Sequence, residues 1–247
     1  MGRQFLLEDT GGKDRILVFA TEENIQLLAK MEWVFADGTF KASPKIFGQI
    51  YIIMGCLKKN AEYKEYIPLV FGLLPNKQKK SYVRFLEILK KHAPQPMQIK
   101  TASMDFEVGE INAWKEVFPS ISIHLCNFHF NQNIFKPIVR VGLKTAYQKK
   151  VQHRGVQREG KLKRYVQAIY GLSFVPLDKI QEAWATILDE APDLGVKDGK
   201  KLEEFLNYIT STYMSNANYP LEMWNNWAKF EHRTNNPNEG FNSSLKA

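Results

Sequence analysis

"IKTASMDFEVGEINAWKEVFPSISIHLC", Ile99 to Cys126, decides how this chain folds. Two short apolar runs, Ile99–Phe106 and Ile121–Cys126, read as strands. Between them Glu107–Pro119 carries helical spacing and is stopped by Pro119. Upstream the signal is different. "QIYIIMGCL" (Gln49–Leu57) and "EYIPLVFGLL" (Glu65–Leu74) are separated only by the polar "KKNAEYK", which predicts a hairpin or meander. Pro68 lies inside the second run and predicts an edge strand or a bulge, because proline cannot donate to a ladder. A strand meander followed by strand–helix–strand is an α/β pattern with a mixed sheet.

The flanking segments fit that pattern. Arg15–Ala20 is β-branched and apolar, a short strand; Thr21–Met31 opens with Thr-x-x-Asn and runs at helical spacing. Glu32–Asp37 reads as a strand ending at Gly38, and Lys79–His92 as an amphipathic helix. From about Phe128 no strand signal follows, and Pro137 to Phe230 reads as an α-helical block. There is no internal repeat.

The chain has 247 residues, 44% hydrophobic and 24% charged, which supports one large folded domain or two smaller ones. No apolar run reaches membrane-spanning length, so no membrane partner is expected. Two cysteines, Cys56 and Cys126, cannot form a disulfide framework and suit a reducing, intracellular setting. The net charge of +8 is unevenly spread. Ten basic residues lie between Lys136 and Val175 against Glu159 alone, so that segment holds +9. Such a concentration is what contact with a phosphate backbone needs, although a solvated helix face looks the same.

Two aspartates stand where an apolar strand emerges from the sheet, the usual place for an α/β site: Asp37 after "WVFA" and Asp105 after "KTASM". Each has an ordinary alternative. Asp37-Gly38 is a standard turn pair, and Asp105 is placed to cap the following helix. With a third carboxylate they would complete a two-metal site, since hard divalent cations take carboxylate oxygens. Glu107 and Glu110 compete for acidic roles but fall on a first helical turn, where the dipole favours them anyway. Glu32 precedes Asp37 by five residues and would face the other way in a strand.

Four pieces in one order carry a family resemblance: "ADGTFK" (Ala36–Lys41), "SMDFEVGEINAWKEVFP" (Ser103–Pro119), "HLCNFHFNQNI" (His124–Ile134) and "RTNNPNEGFNSSL" (Arg233–Leu245). Together they resemble the transposase domain of Mutator-like elements, over nearly the whole chain. The resemblance implies an RNase H-like mixed-sheet core interrupted by an α-helical insertion. It implies a core from 12 to 135, an insertion from 136 to 230 that is basic at its start, and a last core helix from 231 to 247. It implies an Asp-Asp-Glu triad of Asp37, Asp105 and Glu239, catalytic and ligating two Mg²⁺ or Mn²⁺ ions. It further implies double-stranded DNA as partner (transposon ends and target), a homo-oligomer on DNA, and a nuclear location.

Glu239 also has a local reading. Asn236 is a good N-cap, Pro237 suits the first helical position, and Glu239 takes the capping-box place. A glutamate that reaches back to its cap cannot hold a metal, so the expectation is that Asn236 caps alone.

Cys126 and His129 form a Cys-x-x-His pair, and the family carries one here, which implies a supporting role near the triad. A structural zinc needs about four ligands. The pair therefore reads as a buried cysteine with a hydrogen-bonded histidine; in a strand His124 and Cys126 would share a face. Lys149, Lys150, Arg154 and Arg158 are the candidate phosphate contacts. Trp224 and Trp227 are three apart, expected on one helix face, either as core or with Trp227 stacking on an unpaired base. The function expected is a DDE-type DNA transposase, as a fragment or derivative, that cleaves and joins transposon-end DNA by two-metal phosphoryl transfer. The alternatives are a domesticated DNA-binding derivative and a host RNase H-type nuclease.

Overall fold

The computed structural model of the chain describes residues 4–40, 42–58, 64–153, 156–215, 218–229 and 240–241. The chain divides into two compact units: Met1–Leu125 with Thr234–Ala247, and Cys126–Arg233.

The first unit is a mixed α/β layer. Its strands are β1 (Leu6–Asp9), β2 (Leu17–Phe19), β3 (Trp33–Thr39), β4 (Gln49–Lys58), β5 (Lys64–Leu74), β6 (Thr101–Met104) and β7 (Ser122–Leu125). They form one seven-stranded sheet in the order β1-β2-β5-β4-β3-β6-β7. The meander half is antiparallel, and β3, β6 and β7 run parallel. β1 was not expected, because "LLED" is too short and too charged at its end to signal a strand.

Pro68 sits at a bulge. The β4–β5 register shifts between Ile53 and Met54, which face Val70 and Pro68. β5 is interior, not an edge, but β2 pairs only with Leu73, Gly72 and Phe71, so the proline lies beyond the end of β2. The missing N–H therefore breaks no bond to β2.

Three helices belong to this unit: α1 (Glu22–Lys30), α2 (Lys79–His92) and α3 (Val108–Val117). The Asn24 N–H donates to Thr21 Oγ1 at 3.2 Å, so Thr21 caps α1 as its sequence predicts. α2 buries Tyr82, Phe85, Leu86 and Leu89, one stripe at helical spacing. Its close approach to the sheet depends on Gly72, where an added Cβ would lie 2.5 Å from Phe85 Cε2. On that same sheet face Tyr51 packs edge-on to Tyr82 and Phe85, with ring centroids 5.1 and 5.3 Å apart. The opposite face carries a second apolar cluster, Phe35, Ile52 and Met54, against which Phe71 and Phe241 pack.

The second unit holds α4 (Asn127–Arg140), α5 (Lys144–Gln148), α6 (Lys161–Gly171), α7 (Ile180–Asp189), α8 (Gly195–Ile209) and α9 (Leu221–Trp224). It is not purely helical. β8 (Lys150–His153) and β9 (Val156–Glu159) form an antiparallel hairpin. Its two four-residue strands are too polar to show apolar alternation. The core of the unit is aromatic: Phe130 stacks on Trp224 with centroids 4.9 Å apart and planes 9° apart, and Tyr213 meets both edge-on. Ser173 Oγ donates to Asn127 Oδ1 at 2.9 Å, and the Asn226 N–H donates to Ser173 O at 2.5 Å, tying the end of the unit to the start of α4.

Among the described residues no helix is long and apolar enough to cross a membrane.

Candidate functional site

Asp37 is part of β3, not of a turn. It faces Ile52 across the antiparallel β3–β4 ladder, and Gly38 faces Tyr51. The Asp-Gly turn reading is thereby replaced by a strand reading. The glycine is needed for closeness: a Cβ at Gly38 would lie 2.3 Å from Gln49 Oε1. Asp105 lies one residue past β6. It does not cap α3, whose N-cap is Glu107. Both ordinary explanations of the two aspartates therefore fail in the fold.

The strand register brings the two aspartates together. β3 and β6 pair in parallel as Trp33↔Thr101, Val34↔Ala102 and Phe35↔Ser103. Asp37 follows Phe35 by two residues within β3, and Asp105 follows Ser103 by two, one residue past the end of β6. Paired residues of parallel strands share a face. The face is that of Phe35 and Ile52, on which Phe241 docks, its ring 5.9 Å from that of Phe71. Asp37 is buried, and Asp105 is half-buried. Glu239 lies outside the described residues, as do Asn236 and Pro237, but the helical pair Gly240–Phe241 directly follows Glu239.

Below the aspartates the same face is stiffened by hydrogen bonds. Trp33 Nε1 donates to Ser103 Oγ at 2.8 Å, and Ser103 Oγ lies 3.3 Å from His124 Nδ1. The Trp33 and His124 rings meet edge-on at 5.7 Å.

A second set of acids occupies the start of α3. Glu110 is 3% exposed, and its Oε1 accepts from Tyr51 Oη at 2.6 Å; Trp114 Nε1 in turn donates to Tyr51 Oη at 2.9 Å. Glu107 accepts from Tyr82 Oη at 2.6 Å and from Lys77 Nζ at 2.8 Å. Burial pushes the Glu110 carboxyl well above the usual carboxylate range. The Tyr51 hydrogen bond opposes this, while the charges of Asp105, Glu107 and Asp37 add to it. Four carboxylates are thus close enough to feel one another. Sequence reading ranked Glu110 second because it could not see the tyrosine that buries it. Glu32 lies before β3 and pairs with Lys100 at 2.5 Å on the surface.

Carboxylate oxygens on a shared face suit a hard divalent cation. Among the described residues, however, no group of three or more His, Cys, Asp or Glu is placed to hold a metal ion.

In the second unit Cys126 is buried and precedes α4 as its N-cap, so it does not extend β7 with His124 as the strand reading expected. Both cysteines are free thiols. His129 is half-buried on the first turn of α4. Lys149, Lys150 and Arg158 are exposed on the hairpin and its entry, and Arg154 lies outside the described residues. Trp224 and Trp227 do not share a helix face. α9 ends at Trp224, which is fully buried, and Trp227 sits in the following turn, 53% exposed.

The first unit is thus an α/β sheet protein with carboxylates at the ends of adjacent parallel strands, and the second carries a concentrated positive charge. The family model of the MULE transposase domain matches residues 33–133, from β3 into α4. Over those residues the chain is similar to a transposase domain. No curated protein matches the chain.

Proposed function

We propose that this chain is the catalytic domain of a DDE-type transposase, in whole or as a fragment or derivative, built on an RNase H-like core. It cleaves transposon-end DNA and joins it to target DNA. One observation carries the reading: Asp37 and Asp105 each lie two residues past Phe35 and Ser103, which pair across the parallel strands β3 and β6. The packing of Phe241 on that face supports Glu239 as the third carboxylate.

Asp37, Asp105 and Glu239 would hold two Mg²⁺ or Mn²⁺ ions, which supply an activated oxygen nucleophile and stabilise the leaving oxygen in phosphoryl transfer. The chain's own part is geometric. β3 fixes Asp37 on a rigid strand, where precision is greatest, and β6 ends one residue before Asp105. The Trp33–Ser103–His124 contacts hold β3, β6 and β7 in register beneath them. The tyrosine bonds to Glu107 and Glu110 anchor the start of α3, and with it the turn that carries Asp105. Cys126 and His129 would support the site from the start of α4. Lys149, Lys150, Arg154, Arg158 and Trp227 are candidate DNA contacts. A homo-oligomer on DNA and a nuclear location complete the reading.

The test is nicking and strand joining on labelled transposon-type DNA with Mg²⁺ or Mn²⁺, wild type against Asp37→Asn. Activity lost in the variant while DNA binding persists supports the enzyme. Equal activity in both defeats the triad assignment. DNA binding without cleavage by the wild type favours a domesticated binding derivative.

A further inference from the structure

The geometry points to an open basic groove within the second unit as the seat of a nucleic-acid phosphate backbone. The inference rests on the DNA-processing reading above. The groove encloses about 960 Å³ and is walled by α5, the β8–β9 hairpin and the first turns of α6 and α8. Lys149, Lys161, Lys197 and Lys201 line it, together with Asp193 and Asp198.

The acids are already engaged. Asp193 Oδ1 accepts from the Gly195 N–H at 2.8 Å, and Asp198 Oδ1 accepts from Lys201 Nζ at 2.7 Å. The other three lysines are exposed and make no ion pair among the described residues. Four lysines against two aspartates leave one concavity with a net charge of +2, and the three unpaired lysines come from separate elements, which raises the local positive potential. None of the polar side chains lining the groove is buried. A site for one small anion converges buried donors on a point. Exposed ammonium groups spread along a groove suit a line of phosphates instead.

The hairpin register sharpens the assignment. Val151 lines the groove, and its cross-strand partner is Arg158, so Arg158 shares that face. Lys150 pairs with Glu159 and points to the other face. Two residues that sequence alone treats alike are thus separated: Arg158 extends the groove and Lys150 does not. Lys161 and Lys197 join it from helices distant in the chain.

The test is fluorescence anisotropy of a short labelled duplex against salt concentration. The proteins are wild type, a K149Q/K161Q/K197Q triple variant, and a K13Q/K30Q control in the first unit. Each phosphate contact removed lowers the steepness of log K against log salt by about 0.9. The triple variant is expected to lose affinity about tenfold or more at low salt and to flatten the slope by about 2.7. The K13Q/K30Q control keeps the wild-type slope. Inorganic phosphate at matched ionic strength is expected to displace the duplex no better than chloride. An unchanged slope in the triple variant, or an equal loss in the K13Q/K30Q control, overturns the proposal. Selective displacement by phosphate overturns it too and identifies a small-anion site. Metal-dependent nicking is followed in parallel. Wild type that neither binds nor nicks rejects the DNA-processing reading itself, whereas intact nicking with unchanged binding in the triple variant rejects only the groove.

Discussion

Asp37 and Asp105, 68 residues apart in sequence, each stand two residues beyond the paired Phe35 and Ser103 of neighbouring parallel strands. Two carboxylates so placed repel each other, and a divalent cation relieves the repulsion. Asp37→Asn or Asp105→Asn is therefore expected to lower metal-dependent nicking by about 10³-fold or more, roughly 4 kcal/mol of barrier. In EDTA the same variants should melt at or above the wild-type temperature. A calorimetric melt and a nicking assay on the same preparation check both halves.

Glu110 sets a pH dependence. Its folded-state carboxyl is raised, so the folded chain holds a proton that the unfolded chain has released. The stabilisation is fully present below the ordinary glutamate range near 4.5 and is lost as pH rises above it toward the raised value. Without divalent metal, wild type should lose stability from about pH 5 upward through this group. Glu110→Gln keeps an acceptor for Tyr51 and should flatten that part of the profile. Urea melts across the pH range measure it; parallel profiles would reject the assignment.

Tyr51 joins Glu110 and Trp114 through one hydroxyl. Tyr51→Phe leaves both buried partners short of a hydrogen bond and should cost about 1–3 kcal/mol. Glu110→Gln made in the Tyr51→Phe background should show coupling, because the two residues share that bond. Additive melts would mean that the bond contributes little.

The two tryptophans near the end of the second unit should behave oppositely. Trp224 is fully buried against Phe130, so Trp224→Ala should cost about 3–5 kcal/mol. Trp227 is mostly exposed, and Trp227→Ala should stay within about 0.5 kcal/mol of wild type. If Trp227 stacks on a base, its loss appears in single-strand binding and not in the melt.

Local chemistry alone determined much of this molecule. The Thr21 cap, the α2 stripe, the disruption at Pro68, the strand–helix–strand from Ile99 to Cys126 and the charge concentrated after Lys136 are all readable within a few residues, because each depends on near neighbours. β1 and the β8–β9 hairpin were not readable, since short polar strands owe their state to the partner they pair with. The same limit applied to the aspartates. Sequence offered a turn for Asp37 and a cap for Asp105, and only the β3–β4 ladder and the Glu107 cap of α3 removed these options. Tertiary structure alone buried Glu110 under Tyr51, and it alone separated Arg158 from Lys150 across a hairpin. The physical reason is the same each time: a side chain's face, burial and electrostatic surroundings are set by residues far away in the chain.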